Sequence, residues 1–179
     1  MLKSGELDTR LTRFGAATGT PPEWPLLGKL WAKIIDPKAA GREAQASIYA
    51  TGSTLITVRV RGDILPGQLL KGHACWYLIE DTAREPGALQ ISARKLSGEP
   101  ATYTPKQGEP YPVTAFLAAE NVMVGARSEP RHQIDLILPE LVPPFARQGD
   151  QVTLRGRQYR IDGLIEGSDN GTTLRVMVA

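Results

Sequence analysis

Residues 155–179 read RGRQYRIDGLIEGSDNGTTLRVMVA. Apolar and polar residues alternate through Tyr159–Arg160–Ile161 and again through Leu174–Arg175–Val176, the period-two signature of half-buried strands. Asp169–Asn170–Gly171 between them has turn chemistry. The stretch is a β-hairpin, and its grammar occurs once before. Gly67, Leu69–Leu70, Gly72, Trp76–Tyr77, Ile79, a turn at Gly87 and Leu89–Gln90–Ile91 run in one order. Gly149, Val152 and Leu154, Gly156, Tyr159, Ile161, a turn at Gly171 and Leu174–Arg175–Val176 run in the same order. A repeated sequence of glycine, short strand, turn, aromatic strand and last strand predicts two copies of one small barrel.

Working outward, the first half holds strands at Leu30–Ile35, Thr54–Arg61, Cys75–Ile79 and Leu89–Leu96, with Glu80–Gly87 as a turn. The second half holds Val113–Leu117, Gln133–Leu138, Gln151–Leu154, Gln158–Ile161 and Thr172–Val178. Lys38–Tyr49 is rich in Ala, Glu, Gln and Arg and reads as a short helix, interrupted by Gly41, inside a long excursion between strands. Residues 97–112 carry prolines at 100, 105, 110 and 112, which reads as a boundary. Pro139–Pro144 is excluded as a central strand, because proline cannot donate to a ladder. The expected fold is all-β, mainly β with a short helix: two small antiparallel β-barrels in tandem. The expected division is a barrel domain over 1–98, a Pro/Gly-rich linker over 99–112 and a second barrel over 113–179.

An apolar fraction of 41% is enough for folded cores. Lys plus Arg exceed Asp plus Glu by two, without the basic surplus of a dedicated DNA binder. Cys75 is the single cysteine, so no internal disulfide is possible. MLKSGELDTRLTRF has no apolar core of a secretory signal, and no run approaches the ~18 apolar residues of a membrane span. A protein of the reducing cytoplasm, with no membrane contact, is expected.

Little in the sequence points to catalysis. His73 and His132 stand apart, short of the three or four ligands a metal needs. Cys75 has His73 on the same strand face but no third member for a triad, and reads as a small buried apolar residue. Gly28–Lys29 lacks both the first glycine and the Ser or Thr of a phosphate loop. No nucleophile, base and oxyanion set is met. The expectation is no enzyme, no metal and no cofactor. Trp31 is assigned to the core. Trp24, between Pro22 and Pro25, is open between core and interface anchor.

The first 96 residues resemble the tailed-phage head–tail joining proteins of the stopper or head-closure type. The resemblance rests, in order, on MLKSGELDTRLTRF, Trp24, Leu30–Ile34 with Pro37, Gly41–Arg42–Glu43, Thr54–Arg61 with Asp63–Ile64, and Trp76–Ile79. Residues 113–179 are similar to the phage head–tail attachment proteins through Gly149–Asp150, Gly156, Tyr159–Arg160–Ile161 and the final hairpin. One chain carrying both modules departs from the usual single barrel.

The resemblance implies a structural virion protein in the neck, made in the host cytoplasm. It implies a homo-oligomeric ring of 6 or 12 subunits that closes the filled head and docks the tail. The implied partners are portal or adaptor protein, tail terminator or tail tube protein, and packaged dsDNA touched non-specifically in the channel. Near-neutral charge suits a channel through which DNA slides. The alternatives are a tail-terminator or baseplate barrel, or an OB- or SH3-like binding module. Two segments are candidates for partner or lumen contact. Asp36–Ser53 supplies the candidate gating residues Lys38, Gly41, Arg42, Glu43, Gln45 and Tyr49. Ala118–His132, with Trp24, supplies the candidate interface residues Glu120, Asn121, Arg127 and Arg131.

Overall fold

The computed structural model describes residues 5–36, 48–124, 127–167 and 169–179, with side chains at all of these except 49–52 and 119–131. The strands are β1 (Thr9–Phe14), β2 (Leu26–Ile35), β3 (Tyr49–Val58), β4 (Leu69–Lys71), β5 (Trp76–Glu85) and β6 (Ala88–Leu96). They continue with β7 (Glu99–Thr104), β8 (Tyr111–Val124), β9 (Arg127–Ile137), β10 (Gln151–Leu154), β11 (Arg157–Leu164) and β12 (Thr173–Val178). A 3-10 turn, Leu138–Glu140, follows β9. Lys38–Gln45, where the helix was expected, lie outside the described residues; Tyr49 opens β3.

The strands close into two antiparallel barrels. Around the first the order is β1-β2-β3-β6-β5-β4; around the second it is β7-β8-β9-β12-β11-β10. The two orders are the same path, each strand of the first barrel answering the strand six places later. Register agrees as well. Leu70 faces Tyr77 across β4 and β5, and Val152 faces Tyr159 across β10 and β11. Ile56 faces Ile91, and Ile134 faces Val176. A bulge follows Ile79 in β5 and Ile161 in β11.

Both barrels are entered through the same glycine turn. Gly67 N–H donates to Ile79 C=O at 2.8 Å, and Gly149 N–H to Ile161 C=O at 2.7 Å. The two glycines have φ of +84° and +87°, the left-handed region that a side chain disfavours. The barrel interiors follow from the alternation. Leu11, Ala32, Ile56, Leu70, Tyr77, Ile79 and Ile91 fill the first. Ala101, Ala115, Ile134, Val152, Tyr159, Ile161 and Val176 are buried at the matching positions of the second.

The compact units divide at Ser97/Gly98, with Thr20–Pro22 and Ile48 counted in the second. Residues 99–112 are therefore not a linker. They hold β7, paired to both β8 and β10, and the turn into β8. Proline is tolerated there because Pro100 lies one residue past the end of the pairing with β10, which stops at Ala101↔Leu154, so that side of the strand has no ladder to break. Two further expectations are corrected. Glu80–Asp81 do not open a turn, since β5 runs on to Glu85 and only Pro86–Gly87 turn the chain. The strand expected over Thr54–Arg61 ends at Val58, and Val60 beyond it is exposed.

Candidate protein interface

Trp31 is 54% exposed, against the expectation of a core residue. Its neighbours Leu30 and Ala32 are buried, so the strand period turns Trp31 outward. Arg10, opposite it on β1, places its guanidinium 6.0 Å from the ring centre. Trp24 is half-buried, just past the Thr18–Glu23 bridge and ahead of β2.

Glu120, Asn121, Arg127 and Arg131, expected between the strands Val113–Leu117 and Gln133–Leu138, lie on strand. β8 and β9 pair from Ala115↔Leu136 out to Val124↔Arg127, with Glu120 opposite Arg131 and Asn121 opposite Pro130. The barrel uses only the inner part: β7 pairs with β8 at Tyr111–Ala115, and β12 pairs with β9 at His132–Ile137. Beyond these the two strands form a ribbon with no third strand beside it among the described residues. Its outer edges carry backbone N–H and C=O groups that a further strand can meet.

The excursions of the two barrels occupy one topological place. Asp36 follows β2 as Ala119 follows the barrel part of β8, and both lead into the next strand of the same sheet. Lys38, Gly41, Arg42, Glu43 and Gln45 lie outside the described residues, and of Tyr49 only its place in β3 is described. Ile48, at the end of that excursion, is fully buried. Its N–H donates to Asp135 Oδ2 at 2.9 Å, and Asp135 also takes a bidentate contact from Arg175.

Each barrel carries a buried polar group at one end. Arg13 is 4% exposed on β1, and its guanidinium donates to Asp63 Oδ2 at 2.6 Å and to Asp63 C=O at 3.4 Å. The Arg13 contact, with that of Arg61, holds the Asp63 carboxyl well below the usual range. In the second barrel Tyr103 Oη donates to the Asp150 carboxylate, which also accepts the N–H groups of Lys106 and Arg147 at 2.9 Å. Burial alone would raise Asp150. The Tyr103 hydroxyl and the two N–H donors outweigh it and set the pKa below the ordinary value. Burial, followed by the Asp150 contact, pushes Tyr103 up.

These polar groups are spent on structure. Cys75 is half-buried and donates to the Tyr77 hydroxyl at 3.1 Å, while His73 is exposed. His132 packs edge-on to Tyr159. Among the described residues no cluster of three or more His, Cys, Asp or Glu could hold a metal, and no helix is long and apolar enough to cross a membrane.

Residues 83–178 match the model of a family described as phage head-tail attachment protein. The match takes in β6 and the whole second barrel with its ribbon. The head–tail joining resemblance read from sequence is thus met: the match covers the second barrel, where the likeness to attachment proteins was read, and reaches back into residues 83–96. No curated protein and no solved structure matches the chain.

Proposed function

Since this chain belongs to the phage head–tail attachment protein family, we propose that it is a structural connector of the neck, joining the DNA-filled head to the tail. The observation that carries this is the family match over residues 83–178, which coincides with a complete barrel and its ribbon. In this reading the protein assembles as a ring below the portal or adaptor, closes the head and receives the tail terminator or tail tube. It acts without catalysis. Two closed barrels supply rigid bodies, and the β8–β9 ribbon supplies unpaired strand edges for a neighbour. Such a ring needs contacts between unlike surfaces that close by rotation. Packaged DNA passes the channel with non-specific contact only.

The test is a phage lacking this gene. The expected result is an accumulation of separate filled heads and finished tails, rescued by adding the purified protein to the lysate. Normally joined particles from the deletion strain overturn the reading. Cryo-electron microscopy of the virion then fixes the level of the ring along the neck.

A further inference from the structure

We infer that the outer face of β2 in one copy docks into a groove on the second barrel of another copy. This rests on the ring reading above and names the contact that would build the ring.

The outward series on β2 is Leu27, Lys29, Trp31, Lys33 and Ile35. Leu27 is 40% exposed, Trp31 54% and Ile35 49%. Arg10 adds a third cation beside Trp31. An exposed tryptophan in line with exposed Leu27 and Ile35 makes an apolar stripe, and Trp is enriched among the anchors of protein interfaces.

The sister barrel shows what such a face does when it is covered. Thr114 holds the place of Trp31 there, and its N–H donates to the Glu140 carboxylate. The Tyr111 hydroxyl accepts the Val142 N–H at 3.2 Å. The segment after β9 therefore lies along β8. In the first barrel the corresponding segment bends to β1 instead, through Asp63 and Arg13, and leaves β2 open.

The groove lies between that segment after β9 and the turn joining β11 to β12. It has a volume of about 550 Å3. Leu138, Phe145, Leu164 and Leu174 line it, with Glu166 and Asp169 on the turn and Arg147 on the opposing segment. Leu164 is 51% exposed at its lip. An apolar slot with two carboxylates complements an indole flanked by two ammonium groups.

Charge on the larger scale agrees. Residues 1–97 hold thirteen Lys and Arg against nine Asp and Glu; residues 98–179 hold eight against ten. Face and groove are different surfaces, so each copy has one of each. Contacts of this kind propagate from copy to copy and close into a ring where the rotation allows.

The experiment is sedimentation velocity on the full chain over a range of concentration and salt, with W31A, K33E, E166K and an equimolar mixture of K33E with E166K. Circular dichroism checks that each variant keeps its fold, which is expected because all three sites are on the surface. The expected result is concentration-dependent assembly of the wild type, weakened by salt. W31A, K33E and E166K are each expected to weaken assembly at least tenfold, and the mixture to regain it. Wild-type assembly untouched by all three variants overturns this contact and leaves the ring reading standing. A wild type that stays monomeric at every concentration and also fails to join heads to tails overturns both. A W31A variant that assembles normally but loses affinity for duplex DNA gives the face to DNA and overturns the contact.

Discussion

Arg13 and Tyr103 hold the same place in the two barrels. Arg13 stands opposite Leu70 on β4, Tyr103 stands opposite Val152 on β10, and each reaches an aspartate. The chemistry differs while the position is kept. Gln68, just after the Gly67 turn, donates to Asp63 C=O at 3.1 Å; Asp150, in the matching place after Gly149, is itself the acceptor. One barrel places its charge on the strand and the other places it on the turn.

The buried guanidinium sets the first prediction. Asp63 is about half exposed and tolerates losing its partner, whereas Arg13 does not. D63A is expected to cost about 3 kcal/mol, because it leaves a buried charge without its carboxylate. R13M, which removes the charge and keeps the stem, is expected to cost about 1 kcal/mol. Urea unfolding of both variants checks the order; D63A at or below R13M would refute it.

Asp150 sets a pH dependence. Its folded pKa lies below its ordinary value, so its ionised form is favoured by the fold. That contribution is fully present above about pH 4, the ordinary carboxylate range, and is lost as pH falls through the folded pKa. D150N is expected to cost about 2 kcal/mol at neutral pH, since Asn cannot accept from three donors at once. The gap in Tm between wild type and D150N should narrow as pH falls below about 4. A constant gap down to pH 2 would sink the assignment.

Gly67 and Gly149 test the equivalence of the barrels. An alanine at either place must hold a positive φ, which costs about 1–2 kcal/mol. The new Cβ at Gly149 also meets the end of the Lys106 side chain, which can swing aside. G67A and G149A are therefore expected to lower stability by similar amounts, read from denaturant midpoints. A neutral G67A would show that the first turn is not held as described.

The ribbon gives a separation of function. Replacing residues 120–130 by a short turn removes backbone that no barrel strand pairs with. Stability should stay within about 0.5 kcal/mol of wild type. Head–tail joining in a complementation assay should fail. A truncated chain that still joins heads to tails would leave the ribbon without the proposed role.

Much of the fold was legible because a barrel wall needs strict alternation. Gln151–Leu154 reads from sequence with the boundaries it has, and Tyr77 and Tyr159 mark matching strands. β1 was missed because one of its inward residues is Arg13, a charge that erases the apolar period. β4 is three residues long, too short for any period. β7 was hidden by Pro100, whose missing N–H is harmless only because of its place in the sheet. Trp31 was misread because bulk was taken for burial; neighbours at Leu30 and Ala32 already fixed its face. Ala118–His132 was left outside the expected strands, yet the described part of it lies on β8 and β9. A two-stranded ribbon with no third strand does not require the alternation that reveals a barrel wall.

Closure of both sheets has a consequence for crowding. A strand at an open edge invites copy after copy to add to it. Here the closed walls leave only local edges among the described strands, such as the two sides of the ribbon and the outer side of β5 beyond Ile79, where only β6 pairs with it. The molecule's valency for strand exchange is thereby rationed. Many copies can be held side by side at high local concentration, and growth through this route stops once these short edges are occupied.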